Sequence, residues 1–162
     1  MKKNAPLKRG FTLIEVIIVV SVIGLLSISA ASGYLNYQKS TEIKENSGQV
    51  AAFMREAQSN ATSQKLNKKW GVNLNNDGLQ MTLFDDSMAG ENKRYYNLPK
   101  QLKFDSVSIN GGGNDIIFDK MTGETSNYGT AANNIAFKII NILSNESVSI
   151  SIAGSGKIEV LE

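Results

Sequence analysis

One block of apolar residues dominates the start of the chain, from Phe11 to Ala31, and its one charged residue is Glu15. In a helix this block spans roughly 31 Å, about the thickness of the hydrocarbon core of a bilayer. A helix that is apolar on every side can also be the core of a large domain. The rest of this chain is too small and too polar to surround one. The block therefore predicts a membrane-spanning helix.

A second apolar pattern recurs every three or four residues, the period of a helix with one buried face. Its members are Val50, Phe53, Met54, Ala57 and Ala61. Residues 34–49 lie between the two patterns and are polar, and Tyr34 and Tyr37 suit a membrane interface. We predict one helix from about Phe11 to Ser63. Its first half lies in the membrane, residues 34–49 form an exposed shaft, and its end packs on a sheet.

After residue 64 the pattern alternates, as in strands with one buried face. Trp70, Val72 and Leu74 begin the alternation, and residues 75–78 have the composition of a hairpin turn. Further strands are predicted at 79–83, 103–109, 116–119, 135–142, 148–153 and 157–161, with a polar loop at 85–97. The fold class is α+β, with the long helix packed on an antiparallel sheet.

Four segments follow from these patterns. They are a leader (1–10), the transmembrane half of the helix (11–31), its amphipathic half (32–64) and a β-sheet domain (65–162). The leader holds four basic residues and no acid, so the positive-inside tendency places the N-terminus in the cytoplasm. The leader takes four of the 17 basic residues, which leaves 13 against 15 acidic ones. The net charge of +2 therefore gives no support for a nucleic-acid partner.

Cysteine and histidine are both absent from the sequence. Thiol chemistry, disulfides and zinc-finger sites are thereby excluded, and the commonest general base is missing. Carboxylates are the remaining candidates for catalysis. Asp115 and Asp119 would lie about 13 Å apart on a strand, wider than glycosidase carboxyl pairs. We interpret them, and Asp85 and Asp86, as solvated turn acids, and we predict neither an enzyme nor a cofactor.

A cleaved secretory signal is an alternative interpretation of the N-terminus, with Ser29-Ala30-Ala31 as the small-residue cleavage site. The apolar run is longer than a signal peptide needs, and Glu15 interrupts it. An uncleaved anchor is a second alternative, but it leaves Glu15 unexplained, because a carboxylate inside a spanning helix is unfavourable.

The sequence Lys8-Arg9-Gly10 followed by Phe11-Thr12-Leu13-Ile14-Glu15-Val16 resembles the signal of type IV pilins and type II secretion pseudopilins. The resemblance implies that a prepilin peptidase cuts between Gly10 and Phe11 and that Phe11 becomes N-methylated. It also implies assembly through the helix, with the Phe11 ammonium of one subunit paired to Glu15 of the next. Many members of the family carry a proline near the end of the apolar run. Here Ala31-Ser32-Gly33 stands in that place.

The resemblance further implies three kinds of partner: other pilin or pseudopilin subunits, the peptidase and an inner-membrane assembly platform. The protein would be a single-pass inner-membrane precursor with an extracytoplasmic C-terminal domain, and later part of a surface or periplasmic filament. Whether that filament is a type IV pilus or a type II secretion pseudopilus stays open. So does the choice between a major and a minor subunit.

The C-terminal half is similar in spacing to H-type pseudopilins and related minor pilins. The similarity lies in apolar strand segments at 116–118, 135–137 and 148–150 and in the glycines Gly123 and Gly156. Some minor pilins of this group bind DNA through a basic C-terminal motif, but residues 156–162 hold one lysine and two acids. DNA binding by the basic clusters near Trp70 and at Lys93-Arg94 is one alternative function. A secreted or anchored binding domain outside any filament is another.

The candidate calcium ligands are in residues 75–78 and at Asp85, Asp86 and Glu91. Both segments offer oxygen ligands, but neither has the spacing of a calcium loop. We predict no metal site.

Overall fold

The computed structural model describes residues 10–75, 77–109, 113–125 and 135–161, apart from the side chains of 28–32 and 36. The chain divides into two compact units, with the boundary between Gln38 and Lys39. Helix α1, Leu13–Thr62, is 50 residues long and supplies residues to both units. The predicted helix limits, Phe11 and Ser63, each lie within two residues of these bounds. The four-segment division stays a prediction.

The second unit contains eight strands in two antiparallel sheets. The strands are β1 (Trp70–Leu74), β2 (Gln80–Asp85), β3 (Arg94–Asn97), β4 (Leu102–Ser108), β5 (Asp115–Phe118), β6 (Ile135–Asn141), β7 (Ser147–Ile152) and β8 (Ile158–Leu161). The order in the first sheet is β3-β2-β1-β5, and in the second it is β4-β6-β7-β8. Between α1 and β1, residues Lys65–Asn67 form a 3-10 turn.

The predicted α+β class with antiparallel pairing is confirmed, and two details of the prediction were wrong. The strands form two sheets of four, where one sheet was expected. The expected loop at 85–97 contains β3, which pairs with β2 from Gln80↔Asn97 to Leu83↔Arg94. The Tyr96 hydroxyl at the centre of β3 lies 2.9 Å from Asn46 Oδ1, so a side-chain contact with α1 also holds this short strand.

One hydrophobic core lies where α1 meets both sheets. The buried stripe of α1 advances by three or four residues at each step and consists of Ile43, Ser47, Val50, Met54, Ala57 and Ala61. All five residues predicted for this face are buried, Phe53 included. The stripe begins at Ile43, however, so the prediction that all of 34–49 is an exposed shaft was wrong. Ile43 fits the same period and belongs to the core.

The hairpin between β1 and β2 turns where the sequence predicts it. The Gly78 N–H donates to Asn75 O at 2.9 Å, and the Leu79 N–H donates to Asp77 Oδ1 at 2.9 Å. Gly78 has a φ of +72°, a conformation that glycine adopts without steric penalty. The turn sets the register Leu74↔Met81, which places both side chains in the core.

Within the part of the chain that the structure describes, no helix combines the length and the apolar character needed to cross a membrane. The membrane-spanning role of 11–31 stays a prediction.

Candidate assembly segment and charged clusters

The three residues predicted to carry processing and assembly lie around the start of α1. Gly10 and Phe11 precede the helix, and Glu15 lies in its first turn. Thr12 lies between Phe11 and the helix and accepts two hydrogen bonds from its first turn. Its carbonyl accepts the N–H of Val16 at 3.3 Å, and its Oγ1 accepts the N–H of Glu15 at 3.3 Å. Thr12 is therefore the N-cap of α1, and the Gly10–Phe11 peptide bond lies in exposed, non-helical backbone.

The described side chains that follow are apolar and exposed on every side of the helix. The large ones are Phe11, Leu13, Ile14, Val16, Ile17, Ile18, Val19, Val20, Val22, Ile23, Leu25 and Leu26, each about half or more exposed. Ser21 and Ser27 donate their hydroxyls to the carbonyls of Ile17 and Ile23, both at 2.7 Å. These hydroxyls are satisfied within the helix and can enter apolar surroundings cheaply. The charged group left in this segment is the exposed Glu15 carboxylate.

Asp85 is a buried acid, and the interpretation of it as a solvated turn residue was wrong. Its side chain is fully buried at the end of β2. It accepts hydrogen bonds from Lys68 Nζ and Asn92 Nδ2, both at 2.7 Å. The hydrogen bond from Lys68 is the main cause that holds the pKa of Asp85 below its ordinary value. This carboxylate joins the segment before β1 to the β2–β3 connection.

Asp115 and Asp119 are engaged by side chains of neighbouring segments. Asp115 accepts a short hydrogen bond from Asn73 across the β1–β5 pair. Asp119 forms an ion pair with Lys69 at 2.5 Å. In the described ranges, no three acidic residues come together as a group that could hold a metal ion.

Side chains of both basic clusters form ion pairs or cation–π contacts within the fold. Lys69 pairs with Asp119, and Arg94 pairs with Glu56 at 2.6 Å and lies 5.0 Å over the Phe53 ring. Lys65 lies 5.1 Å over the ring of Trp70. Since Trp70 is only 3% exposed, it offers little ring surface for a base to stack on.

Comparison with known proteins bears on both ends of the chain. Residues 6–31 match the prokaryotic N-terminal methylation motif. Two solved structures of the minor pseudopilin EpsH from the type II secretion system of Vibrio cholerae share the fold, with TM-scores of 0.56 and 0.55. Both are 14% identical in sequence, and the alignments cover 74% and 75% of this chain and 96% and 94% of those chains. No curated protein matches the sequence.

The chain thus carries a pilin-type methylation motif and shares the fold of a minor pseudopilin. The motif and the fold together confirm the resemblance to pilins and pseudopilins that the residues from Lys8 to Val16 predict. They support the role of a pilin-like or pseudopilin-like structural subunit. The roles of Gly10, Phe11 and Glu15 in processing and assembly stay predictions.

Gly123 and Gly156, both noted in the sequence, have a structural role that the sequence alone did not predict. Gly123 and Gly156 have φ values of +69° and +79° and meet beside Gln58 of α1. Gln58 Nε2 donates to Gly123 O at 3.1 Å. A Cβ at Gly156 would overlap both Gly123 O and Gln58 Nε2. The glycines thus let two loops reach the helix.

Thr12 is the residue of the N-terminal segment that sequence analysis missed. Thr12 and Glu15 stand three positions apart, which is the spacing of a capping box. Phe11 and Val16 stand where a hydrophobic staple has its two apolar residues. Both signals are visible in the sequence, and they coincide with the residues of the processing signal.

Proposed function

We propose that this chain is the precursor of a structural subunit that is cleaved between Gly10 and Phe11, N-methylated on Phe11 and assembled into an extracytoplasmic filament. The observation that carries the proposal is the position of the methylation motif. It lies directly on a helix segment whose apolar side chains are exposed on all sides. Such a surface requires an apolar environment, either lipid or other helices of the same kind.

Before assembly, residues 11–31 would lie in the inner membrane with the basic leader in the cytoplasm. The folded unit from Lys39 onward would then be extracytoplasmic. A prepilin peptidase and an inner-membrane assembly platform are the partners that this route requires. The back-bonded hydroxyls of Ser21 and Ser27 support the membrane location, because they leave few polar groups unsatisfied in lipid.

Glu15 is the proposed contact between subunits. Cleavage would create an ammonium on Phe11, and this group could pair with Glu15 of a neighbouring subunit in a staggered helix bundle. A buried pair of this kind fixes register more reliably than it adds stability. The same carboxylate would be unfavourable in the membrane until it finds its partner.

A minor subunit of a type II secretion pseudopilus is the filament role that the fold favours, since EpsH is described as such a subunit. A type IV pilus is the second candidate. DNA binding receives less support, because Lys69 and Arg94 form ion pairs within the fold and Trp70 is buried.

The first experiment is intact mass measurement and N-terminal sequencing of the protein from native membranes. The expected mature protein begins at N-methylated Phe11. A start at Ser32 would mean a conventional signal peptide, and the assembly proposal would be overturned.

Glu15→Val tests the subunit contact. We expect normal membrane insertion and a loss of incorporation into filaments, measured by shearing or crosslinking. Ser21→Val is the matched control, since Ser21 is also a polar residue of this segment but its hydroxyl bonds to its own helix. Normal assembly of the Glu15→Val variant would contradict the pairing.

A further inference from the structure

We propose that Thr12 is a positioning residue for cleavage of the Gly10–Phe11 bond, because it fixes the start of α1 two residues beyond that bond. This inference rests on the proposed function. It concerns how the chain presents the bond to the peptidase.

The hydrogen bonds of Thr12 define where the helix begins. The first helical N–H groups have no carbonyl partner inside a helix, so a side-chain acceptor at the N-cap replaces one. Thr12 Oγ1 does this for the N–H of Glu15, and Thr12 O accepts the first helical bond from Val16. α1 consequently starts at Leu13, and residues 10–12 are not helical.

Cleavage requires a peptide bond that is free of helical hydrogen bonds. A bond inside a helix has to open before a peptidase can hold it, which lowers the rate by the fraction of time that it is open. Hydrolysis of the Gly10–Phe11 bond consumes one water and leaves a carboxylate on Gly10 and an amine on Phe11. In this structure the bond is already outside the helix, and both of its residues are exposed.

Apolar surroundings make the cap more important. In lipid, an N–H group without a partner is costly. Every helix leaves its first N–H groups unpaired, so an uncapped helix gains by extending toward its N-terminus until these groups reach water. Gly10 resists this extension, because glycine is a poor helix former. Thr12 weakens this tendency by satisfying one of the unpaired groups, the N–H of Glu15. The two residues together keep the bond accessible.

The test compares Thr12→Val with Thr12→Ser in the full-length chain, expressed in cells with a prepilin peptidase. Valine keeps the size of threonine but has no acceptor, whereas serine retains the hydroxyl. We expect pulse-chase processing to slow about fivefold in Thr12→Val, the effect of a typical lost cap, and to change less than about twofold in Thr12→Ser. Equal processing rates in the two variants would overturn the proposal.

A second measurement separates positioning from direct recognition of Thr12 by the peptidase. In the uncleaved chain in detergent micelles, the Cα chemical shifts of residues 10–13 report where the helix begins. We expect the start to move toward Gly10 in Thr12→Val and to stay at Leu13 in Thr12→Ser. An unmoved start combined with slow cleavage would overturn the positioning role. If the wild-type chain is itself never cleaved after Gly10, the proposed function fails.

Discussion

The two ends of α1 are both rich in apolar residues, but their side chains lie in opposite surroundings. From Leu13 to Ser27 every described residue is exposed. From Ile43 to Ala61 a single stripe is buried against two sheets, and Val50, Met54 and Ala57 have no exposed surface. Within the described chain, the apolar surface of the first segment stays exposed. The apolar surface of the second segment is buried in the core of its own unit.

This difference separates the residues that fold the protein from those that would assemble it. Burial of apolar surface drives folding, so the stability of the second unit depends on its stripe and on the loops that reach α1. The exposed segment contributes nothing to that core. Its apolar surface is available for lipid or for other helices. Changes in the two regions should therefore affect different measurements.

Gly156→Ala should have the largest effect on stability. An added Cβ would overlap Gly123 O and Gln58 Nε2, and the residue would still have a positive φ that alanine adopts poorly. We expect the free energy of unfolding to fall by about 3 to 4 kcal/mol. The measurement is urea denaturation followed by the fluorescence of Trp70, the single tryptophan of the chain, which is buried.

Gly48→Ala is the matched control within the same unit. A Cβ at Gly48 has no other atom within 4 Å, and the residue lies inside α1. Alanine is the better helix former, so stability should rise by up to about 1 kcal/mol. If Gly156→Ala were as stable as Gly48→Ala, the close contact between the two loops and the helix would be wrong.

The sequence predicts most of this fold because its strongest patterns are long and periodic. The helix limits, the buried face from Val50 to Ala61 and the hairpin at 75–78 all follow from spacing or turn composition. β3 does not, because it has only four residues, and its position depends on pairing with β2 and on contacts of Arg94 and Tyr96 with α1. Contacts between residues distant in sequence leave no local pattern.

The residues of the candidate site and the charged clusters also differ in whether a local sequence pattern predicts them. Gly10, Phe11 and Glu15 are recognisable because the motif is contiguous. The burial of Asp85 could not be foreseen, because its two partners, Lys68 and Asn92, lie on separate segments. A pair of acids after an apolar strand is usually solvated. Here the β2–β3 connection folds back and covers one of them.

Met54→Ala compared with Ile18→Ala tests the contrast between the two ends of α1 directly. Met54 is fully buried, and Ile18 is 57% exposed. Loss of the Met54 side chain leaves a cavity in the core, so the free energy of unfolding should fall by about 3 kcal/mol. Ile18→Ala should leave Trp70-detected unfolding unchanged. A comparable loss in both variants would show that residues 13–27 pack on the second unit, contrary to the division at Gln38.

Asp85→Asn should have a smaller effect that depends on pH. Lys68 and Asn92 both donate to Oδ2 of Asp85, so an amide oxygen in its place can accept the same two bonds but carries no charge. Hydrogen bonds to a charged group are the stronger ones, so we expect a loss of about 1 to 2 kcal/mol at neutral pH. The folded-state pKa of Asp85 lies below its ordinary value of 3.8, so its stabilisation is fully present above about pH 4 to 5. As pH falls through the lowered pKa, the carboxylate is protonated and the stabilisation disappears. The difference in the free energy of unfolding between wild type and Asp85→Asn should therefore shrink in acid.

Asp86→Asn is the matched control for this pH dependence. Asp86 is adjacent to Asp85, but its side chain is 56% exposed and lies 4.0 Å from Lys68 Nζ. An exposed ion pair contributes little, so the variant should retain nearly all of the wild-type stability and its acid dependence. If the difference in the free energy of unfolding between wild type and Asp85→Asn stays constant down to pH 2, the stabilisation by the hydrogen bonds to Asp85 does not depend on its charge. The link from Lys68 to the β2–β3 connection would then rest on neutral contacts alone.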